Sequence, residues 1–326
     1  MPVPGEQRAA GSKSVQAKEA AFVASEPAKS PPTTYVSDRE RSAAIGRLVG
    51  LAPDARAAFA PGDFEPLPMP KPGEWLAEHR ERGQSYPDFI KGRHVRPDDT
   101  RRVLYIQPIG KLSSGSTPKA SDLVRFSEAY FDIETKILPT LNAAKLGLTW
   151  RRRTTGKQLL AGSVLDLLKK RLPDDAFLMI AVTGHDLYPA DDWNFVFGMA
   201  TFRERVGVYS TARYDPSFYG VKIGLPGFST IILRRTLNIM AHEIGHMYGL
   251  EHCVHYRCAM NGSNSLAETD GSPIHLCPVC LRKLRHGAGF DIASRYKKLE
   301  RLYRKSDLVE EADWLHARLK RIEATE

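Results

Sequence analysis

Apolar runs and helical spacings alternate along the chain from residue 102 onward. Short apolar runs at 103–108 and 147–150 predict strands. The run at 176–182 is apolar at every position, without alternation. It therefore predicts a strand that is buried on both faces, as in the middle of a largely parallel sheet. Between these runs, apolar positions recur with helical spacing over 122–138 and 164–172. Strands that alternate with helices predict an α/β (α+β) fold class.

The second half of the chain continues with a sheet edge and a group of helices. Apolar runs at 194–200 and 206–210 flank a polar link, which indicates a hairpin or a bulged pair of edge strands. A long helix is predicted between residues 229 and 249, and a short one at 281–284. The charged last segment has apolar residues at helical spacing in two stretches, so we expect a helical hairpin over residues 291–326.

The first hundred residues have no such regularity. Residues 1–40 are rich in Ala, Ser, Pro and Lys with little apolar periodicity, which predicts a disordered tail. Residues 41–100 are predicted to be an extension of loops and short helices, with helices at 42–51 and 73–83. The regular α/β pattern is therefore predicted to form one domain over residues 101–290.

Composition and charge narrow the class of protein. The chain has 326 residues, 42% of them hydrophobic, which is an ordinary globular composition. It contains no apolar run near the ~18 residues of a membrane span, and its start lacks the features of a secretory signal. We therefore expect the cytosol or nucleus and no membrane partner. The net charge of +9 is spread along the chain rather than clustered, so nucleic acid is not the expected partner.

One helical segment carries residues at metal-ligand spacing. His242 and His246 are one helical turn apart, so they lie on the same face and can bind one ion. Gly249 can adopt the left-handed conformation that ends a helix sharply, which would bring His252 back to the ion. Three neutral histidines leave a fourth position open, as in catalytic zinc sites. A lone histidine on an apolar face is usually a core residue, but the complete pattern H-E-x-x-H-x-x-G-x-x-H favours a metal site.

Two neighbouring residues complete the predicted active site. Glu243 follows the first ligand directly, so its carboxylate can reach a water on the zinc without taking a coordination position. We expect it to be the general base of amide hydrolysis. Met260 stands shortly after His252, where it suits a Met-turn, an apolar floor beneath the imidazoles. Tyr248 points to another face of the helix, and core packing is its expected role.

All the cysteines of the chain stand in one short stretch, at Cys253, Cys258, Cys277 and Cys280. Two pairs at these spacings predict a closed zinc module over residues 253–280 with four thiolate ligands, which is a structural site. Two disulfides are a competing interpretation, which a reducing compartment disfavours. A redox pair, or replacement of one thiolate by His255 or His275, is a further alternative. With the histidine site, the prediction is two zinc ions per chain, one catalytic and one structural.

Taken together, the histidine motif, the Met-turn methionine and the two cysteine pairs resemble the archaemetzincin family of metallopeptidases. The likeness extends upstream through residues 186–189, 193–198 and 212–214, and it covers about residues 100–290. The resemblance implies a compact metzincin-like zincin domain with a mixed twisted sheet and the zinc helix below a cleft. It also implies that substrate lies along an edge strand, within residues 195–210.

The function predicted from these features is a zinc-dependent metallopeptidase, a hydrolase that acts on peptide or protein substrates. One alternative is a zinc-binding protein with an interaction or scaffold role and little or no hydrolysis; the intact Glu243 argues for the enzyme, because a binding site needs no carboxylate there. Another is a nucleic-acid-binding zinc protein built on the cysteine module, which leaves the histidine motif without a use. The sequence leaves the oligomeric state open, and a monomer is only the default expectation.

Overall fold

A computed structural model of the chain describes residues 36–92, 94–112, 118–220 and 228–325. The predicted disordered tail therefore lies outside the described residues, apart from its last few positions. The strands are β1 (Val103–Ile109), β2 (Glu134–Ile137), β3 (Trp150–Arg153), β4 (Gly156–Leu160), β5 (Ala176–Thr183), β6 (Asp186–Tyr188), β7 (Gly198–Ala200) and β8 (Val206–Ser210).

In the described residues, α-helices stand before, between and after these strands in the chain order. They are α1 (Asp38–Ile45), α2 (Pro53–Phe59), α3 (Trp75–Glu78), α4 (Tyr86–Lys91), α5 (Ala120–Phe131), α6 (Ala161–Lys169), α7 (Phe228–Met247), α8 (Leu266–Gly271), α9 (Pro278–Ala288), α10 (Ile292–Lys305) and α11 (Val309–Glu323). None of the helices in this described part of the chain is long and apolar enough to cross a membrane.

The main sheet has the strand order β2-β1-β5-β8-β7. Its first four strands run parallel to one another, and β7 pairs antiparallel with β8 to form one edge. Both β1 and β5 are buried along their whole length, as expected for strands covered on both faces. The predicted α/β class with a mixed, largely parallel sheet is confirmed, and so is the hairpin at its edge.

A second, smaller sheet has the order β3-β4-β6. β3 pairs antiparallel with β4, and β4 runs parallel to β6. An isolated antiparallel bridge joins Leu187 of β6 to Val196. This sheet therefore lies beside the segment that leads into β7, the edge strand of the main sheet.

The predicted helix over 122–138 is wrong in its second half. Helix α5 ends at Phe131, and Asp132 adopts the left-handed conformation with φ 53°. The chain then enters β2, which pairs with β1 at the other edge of the main sheet. Ile133 and Ile137 fit a helical face by spacing, but they also fit the alternation of a strand. Pairing with β1 decides between the two.

The short N-terminal helices differ from their predicted bounds. Helix α1 begins before the predicted 42–51 helix, because Ser37 and Glu40 form a reciprocal capping box at its N-terminus. It ends before Gly46, whose φ is 77°. The helix predicted over 73–83 is reduced to the single turn of α3. The remainder of that stretch is an irregular segment that packs against the centre described below.

The N-terminal helices and the C-terminal hairpin share a hydrophobic core with the long helix α7. One cluster of buried residues includes side chains of α1, α2, α7, α9, α10 and α11. Buried Arg318 of α11 donates to the carbonyls of Ala57 and Ala58 at 3.1 and 2.9 Å and forms an ion pair with Asp63. The terminal segments therefore pack on the α/β region directly, while the boundaries predicted at residues 100 and 291 stay predictions.

Candidate metal centre

Three histidines converge at the C-terminal end of α7. His242 and His246 are one turn apart on the helix, and the donor atoms of these two and His252 all lie within 4.8 Å of one another. The helix ends in a Schellman motif, in which Gly249 N donates to His246 O at 2.8 Å and Leu250 N to Gly245 O at 3.1 Å. The φ of 91° at Gly249 suits glycine and turns the chain back toward His252.

The other ring nitrogen of each histidine is already engaged by an oxygen. His242 Nδ1 donates to Ala259 O at 2.9 Å, His246 Nδ1 to Leu250 O at 2.7 Å, and His252 Nδ1 to Glu81 Oε1 at 2.6 Å. A proton on Nδ1 leaves the Nε2 lone pair free, and the Nε2 atoms of His242 and His246 are only 3.0 Å apart. Burial lowers the pKa of His242 to about 3 and that of His246 well below its usual value. Three imidazoles with converging ring nitrogens fit a cation held by three nitrogens.

Glu243 lies beside the first histidine with its carboxylate in the interior. The residue is 3% exposed, and its Oε2 atom has no hydrogen-bond partner among the described residues. Burial raises its pKa well above the ordinary value. Its carboxylate is packed against Gly198 of β7, where a side chain would collide with it. A buried carboxylate without a partner is costly unless a proton or a cation compensates it.

His242, His252 and Glu243 line a cleft of 330 Å³. One wall is the segment Asn194–Gly198, which ends at the edge strand β7. Further lining residues are Trp75, Trp193, Asn238, Ile239, Ala259, Asn261, Ser263, Asn264, Thr269 and Ser272. Among the described strands, none pairs with the outer edge of β7. The cleft therefore lies between the edge-strand segment and the side chains of His242, Glu243 and His252.

Two further buried residues, Met260 and Tyr248, pack near the histidines. Met260 is fully buried, and its sulfur lies against Gly245, the residue before His246. It therefore packs against the helix segment that carries His242 and His246, while its role as a Met-turn stays a prediction. Tyr248 is also fully buried and stacks on Phe131 at 5.7 Å between ring centroids, which confirms core packing.

The four cysteines form a second cluster next to the histidines. All of them are buried free thiols, and the Sγ atoms of Cys253, Cys258, Cys277 and Cys280 lie within 4.8 Å of one another. Burial raises the pKa of Cys258 and Cys277, whereas hydrogen bonds from the neighbouring thiols, Cys258 first, lower that of Cys253. Four closely packed thiols suit one tetrahedral cation. Within the described residues His255 and His275 are outside this group.

The loop between the two clusters connects them through hydrogen bonds. Ala259, whose carbonyl accepts from His242, lies between Cys258 and Met260. Asn261 fixes this loop, since its side chain accepts from Cys258 N at 2.7 Å and donates to Cys253 O at 2.7 Å. Cys253 N also donates to Met260 O at 2.8 Å. The loop that carries Cys253 and Cys258 is thus hydrogen-bonded to the same backbone that accepts from His242.

The sequence of the chain is similar to those of known metallopeptidases. A family model described as "Peptidase family M54" matches residues 136–286 of the chain. Archaemetzincin-2 of Macaca fascicularis is 36% identical over 276 residues, which cover 75% of this chain and 76% of that protein. Archaemetzincin-1 of Mus musculus is 32% identical over 256 residues, or 69% of this chain and 51% of that protein. A crystal structure of archaemetzincin from Archaeoglobus fulgidus is 28% identical with a TM-score of 0.44, and the match covers 56% of this chain and 99% of that one.

The chain belongs to the archaemetzincin family. It is therefore a zinc metallopeptidase, a hydrolase whose substrates are peptides or proteins. The two clusters of this archaemetzincin have donor sets that fit zinc, with three imidazoles in one and four thiols in the other.

The stretches upstream of the histidine motif meet at one side of the cleft. Arg213 forms two hydrogen bonds with Asp186, at 2.7 and 2.9 Å, and its guanidinium lies 3.6 Å from the centroid of the Phe195 ring. Arg151 donates to the carbonyls of Trp193 and Asn194. Both arginines are partly buried, and their hydrogen bonds and ring contact connect the cleft wall before β7 to the neighbouring segments.

Sequence reasoning missed two residues that touch the histidine cluster, Glu81 and Trp75. Glu81 accepts from His252, and the Trp75 ring packs edge-on against His252 at 5.1 Å between centroids. Both belong to the extension for which no motif was found. No sequence spacing could identify these two residues, because His252, which both contact, is 171 residues away from Glu81 in the sequence.

Proposed function

We propose that this archaemetzincin hydrolyses peptide bonds at a zinc ion held by the Nε2 atoms of His242, His246 and His252, with Glu243 as the general base. The proposal is carried by the convergence of three imidazoles whose donor atoms lie within 4.8 Å of one another, next to a cleft that Glu243 lines. The three engaged Nδ1 atoms support ligation through Nε2.

Each of these residues has a distinct part in the proposed reaction. The chemistry that zinc supplies in such a site is Lewis-acid polarisation of a carbonyl and a lowered pKa for water. Glu243 accepts the proton of the attacking water and delivers it to the leaving amine. Its position against Gly198 keeps the carboxylate beside the edge strand, where the scissile bond of a bound peptide would lie.

We infer that the substrate binds as an extended strand along β7. The outer edge of this strand is unpaired within the described residues and borders the cleft. Backbone hydrogen bonds to an edge strand bind a peptide largely without regard to its side chains. Side-chain preference would then come from the rest of the cleft, which is lined by Asn238, Thr269 and Ser272 on the side of α7.

We also propose a second zinc ion, structural in role, held by Cys253, Cys258, Cys277 and Cys280. The support is the buried cluster of four free thiols, which leaves no open position for water. Met260 would serve as the Met-turn beneath the catalytic site. A cluster of free thiols also suits the cytosol or nucleus, where thiols stay reduced.

Single replacements of the proposed ligands test the assignment. His242→Ala and His252→Ala are each expected to lose one zinc per chain and the hydrolysis of denatured casein. Glu243→Gln is the matched control, because it keeps the three ligands and should retain full zinc content. Full zinc content in both histidine variants, measured by elemental analysis of the folded proteins, would refute the proposed ligand set.

A further inference from the structure

The third histidine is hydrogen-bonded to a segment that lies outside the region matched by the family model. That region is residues 136–286, whereas Glu81 belongs to the irregular stretch after α3. His252 Nδ1 donates to Glu81 Oε1 at 2.6 Å, and the two side chains are 7% and 9% exposed. The contact is therefore an interior one, and solvent screens it little.

Trp75 provides a second hydrogen bond to the same carboxylate oxygen. Its indole Nε1 donates to Glu81 Oε1 at 2.8 Å, and its backbone N donates to Glu268 Oε1 at 2.8 Å. The ring packs closely on Gly262 and lies edge-on to His252. Two donors thus converge on one oxygen of Glu81, which leaves the carboxylate little freedom to turn.

His252 depends on this contact more than the other two histidines depend on theirs. His242 and His246 stand on α7 and donate to backbone carbonyls of Ala259 and Leu250, close by in the sequence. His252 stands beyond the end of the helix, in a stretch without regular structure. Its ring orientation therefore relies on a side chain 171 residues earlier in the chain.

We propose that Glu81 is a positioning residue for His252, and that the segment carrying Trp75 and Glu81 is a working part of the metal site. The carboxylate keeps the proton on Nδ1 and holds the Nε2 lone pair toward the other two histidines. Carboxylate partners of this kind also make an imidazole a stronger ligand. The inference rests on the proposed ligation of zinc by His252.

Zinc affinity tests the role of Glu81 independently of activity. The zinc site proposed at the three histidines is expected to be the weaker of the two, because it has three protein ligands and the cysteine site has four. Its apparent dissociation constant is measured by competition with a chromogenic chelator in the full chain. Glu81→Leu is expected to weaken binding by about 10- to 100-fold. Glu81→Gln keeps an oxygen that can accept from both donors, and it should lose less than about fivefold. Glu78→Leu is the matched control, since Glu78 is exposed on the same segment, and it should bind zinc as wild type does.

His252→Ala separates failure of this inference from failure of the proposed function. If His252→Ala loses the weaker site while folded Glu81→Leu binds zinc with wild-type affinity, Glu81 has no positioning role. If both variants keep that site, the ligand assignment itself is wrong. Should Glu81→Leu not fold, Trp75→Phe takes its place, because it removes the second donor and keeps an aromatic ring. A loss of about two- to fivefold is expected for that variant, and unchanged affinity would overturn the inference.

Discussion

The carboxylate of Glu243 lies against Gly198 of the edge strand β7, with no space for a side chain between them. The general base proposed for the reaction and the strand proposed to bind the substrate are therefore in direct contact. Gly198 does not have a left-handed backbone conformation, so a larger residue there would be opposed by the contact with Glu243, whose side chain would have to shift. The position of the base relative to a bound peptide depends on this glycine.

Gly198→Ala is expected to reduce kcat/KM by at least about tenfold, since a displaced base loses its alignment and about 1.4 kcal/mol suffices for a tenfold effect. Zinc content should be unchanged, because the three ligands are untouched. Gly162→Ala in α6 is the control, since a Cβ there meets no other atom within 4 Å. Wild-type kinetics for Gly198→Ala would show that Glu243 can move without consequence.

The cysteine cluster is expected to support the histidine cluster through the loop that carries Ala259. Cys277→Ser should lose the second zinc and lower the free energy of unfolding by about 3 kcal/mol or more, because structural zinc contributes directly to folding. It should also weaken the first site, since Ala259 O orients His242. Zinc analysis and thermal denaturation measure both effects. Unchanged zinc content together with an unchanged fold would rule this coupling out.

The two proposed zinc ions are expected to leave the protein at different stages. His242 is partly exposed to the cleft, whereas each of the four cysteines is at most 2% exposed. A chelator such as dipicolinate is therefore expected to remove one zinc per chain together with activity, while the second stays until the protein unfolds. Added zinc should restore activity. A chain that holds one zinc in total, or loses both at the same chelator concentration, would contradict the two-site assignment.

Arg213 is expected to affect substrate binding without contacting the metal. Its fork pairs with Asp186 and stacks on Phe195 in the cleft wall, and lysine reproduces neither the two parallel hydrogen bonds nor the stacking. Arg213→Lys should raise KM by about three- to tenfold with kcat little changed. Exposed Arg203 provides a control through Arg203→Lys. A fall in kcat with constant KM would place the effect on the reacting groups instead.

The two clusters could be predicted from the sequence because their members are close along the chain. His242, His246 and His252 lie on one helix and the turn after it, so spacing alone specifies their common side. The cysteine pairs likewise fit one tetrahedral site by spacing. Glu81 could not be found this way, because its hydrogen bond to His252 joins distant segments and any of many carboxylates could have served.

The fold was predictable where burial dominates and less so where two periods coincide. The flat apolar run of β5 identified the middle of a parallel sheet. Ile133 and Ile137 suited a helix and a strand equally, and only the left-handed Asp132 and the pairing of β2 with β1 separate the two. The predicted helix over 73–83 is only one turn long in α3. Trp75 of this turn contacts Glu268 and Gly262, which are distant in the sequence, and no local pattern predicts such contacts.

The most direct test of the central claim is cleavage of a diverse peptide library, followed by mass spectrometry, with wild type and Glu243→Gln at equal zinc content. General acid–base groups contribute about 10²- to 10⁴-fold in rate, so cleavage is expected with wild type and should be nearly absent with the variant. The pattern of products would also distinguish trimming of ends from internal cutting. Equal cleavage by both proteins would contradict the role of Glu243 and, with it, the proposed mechanism.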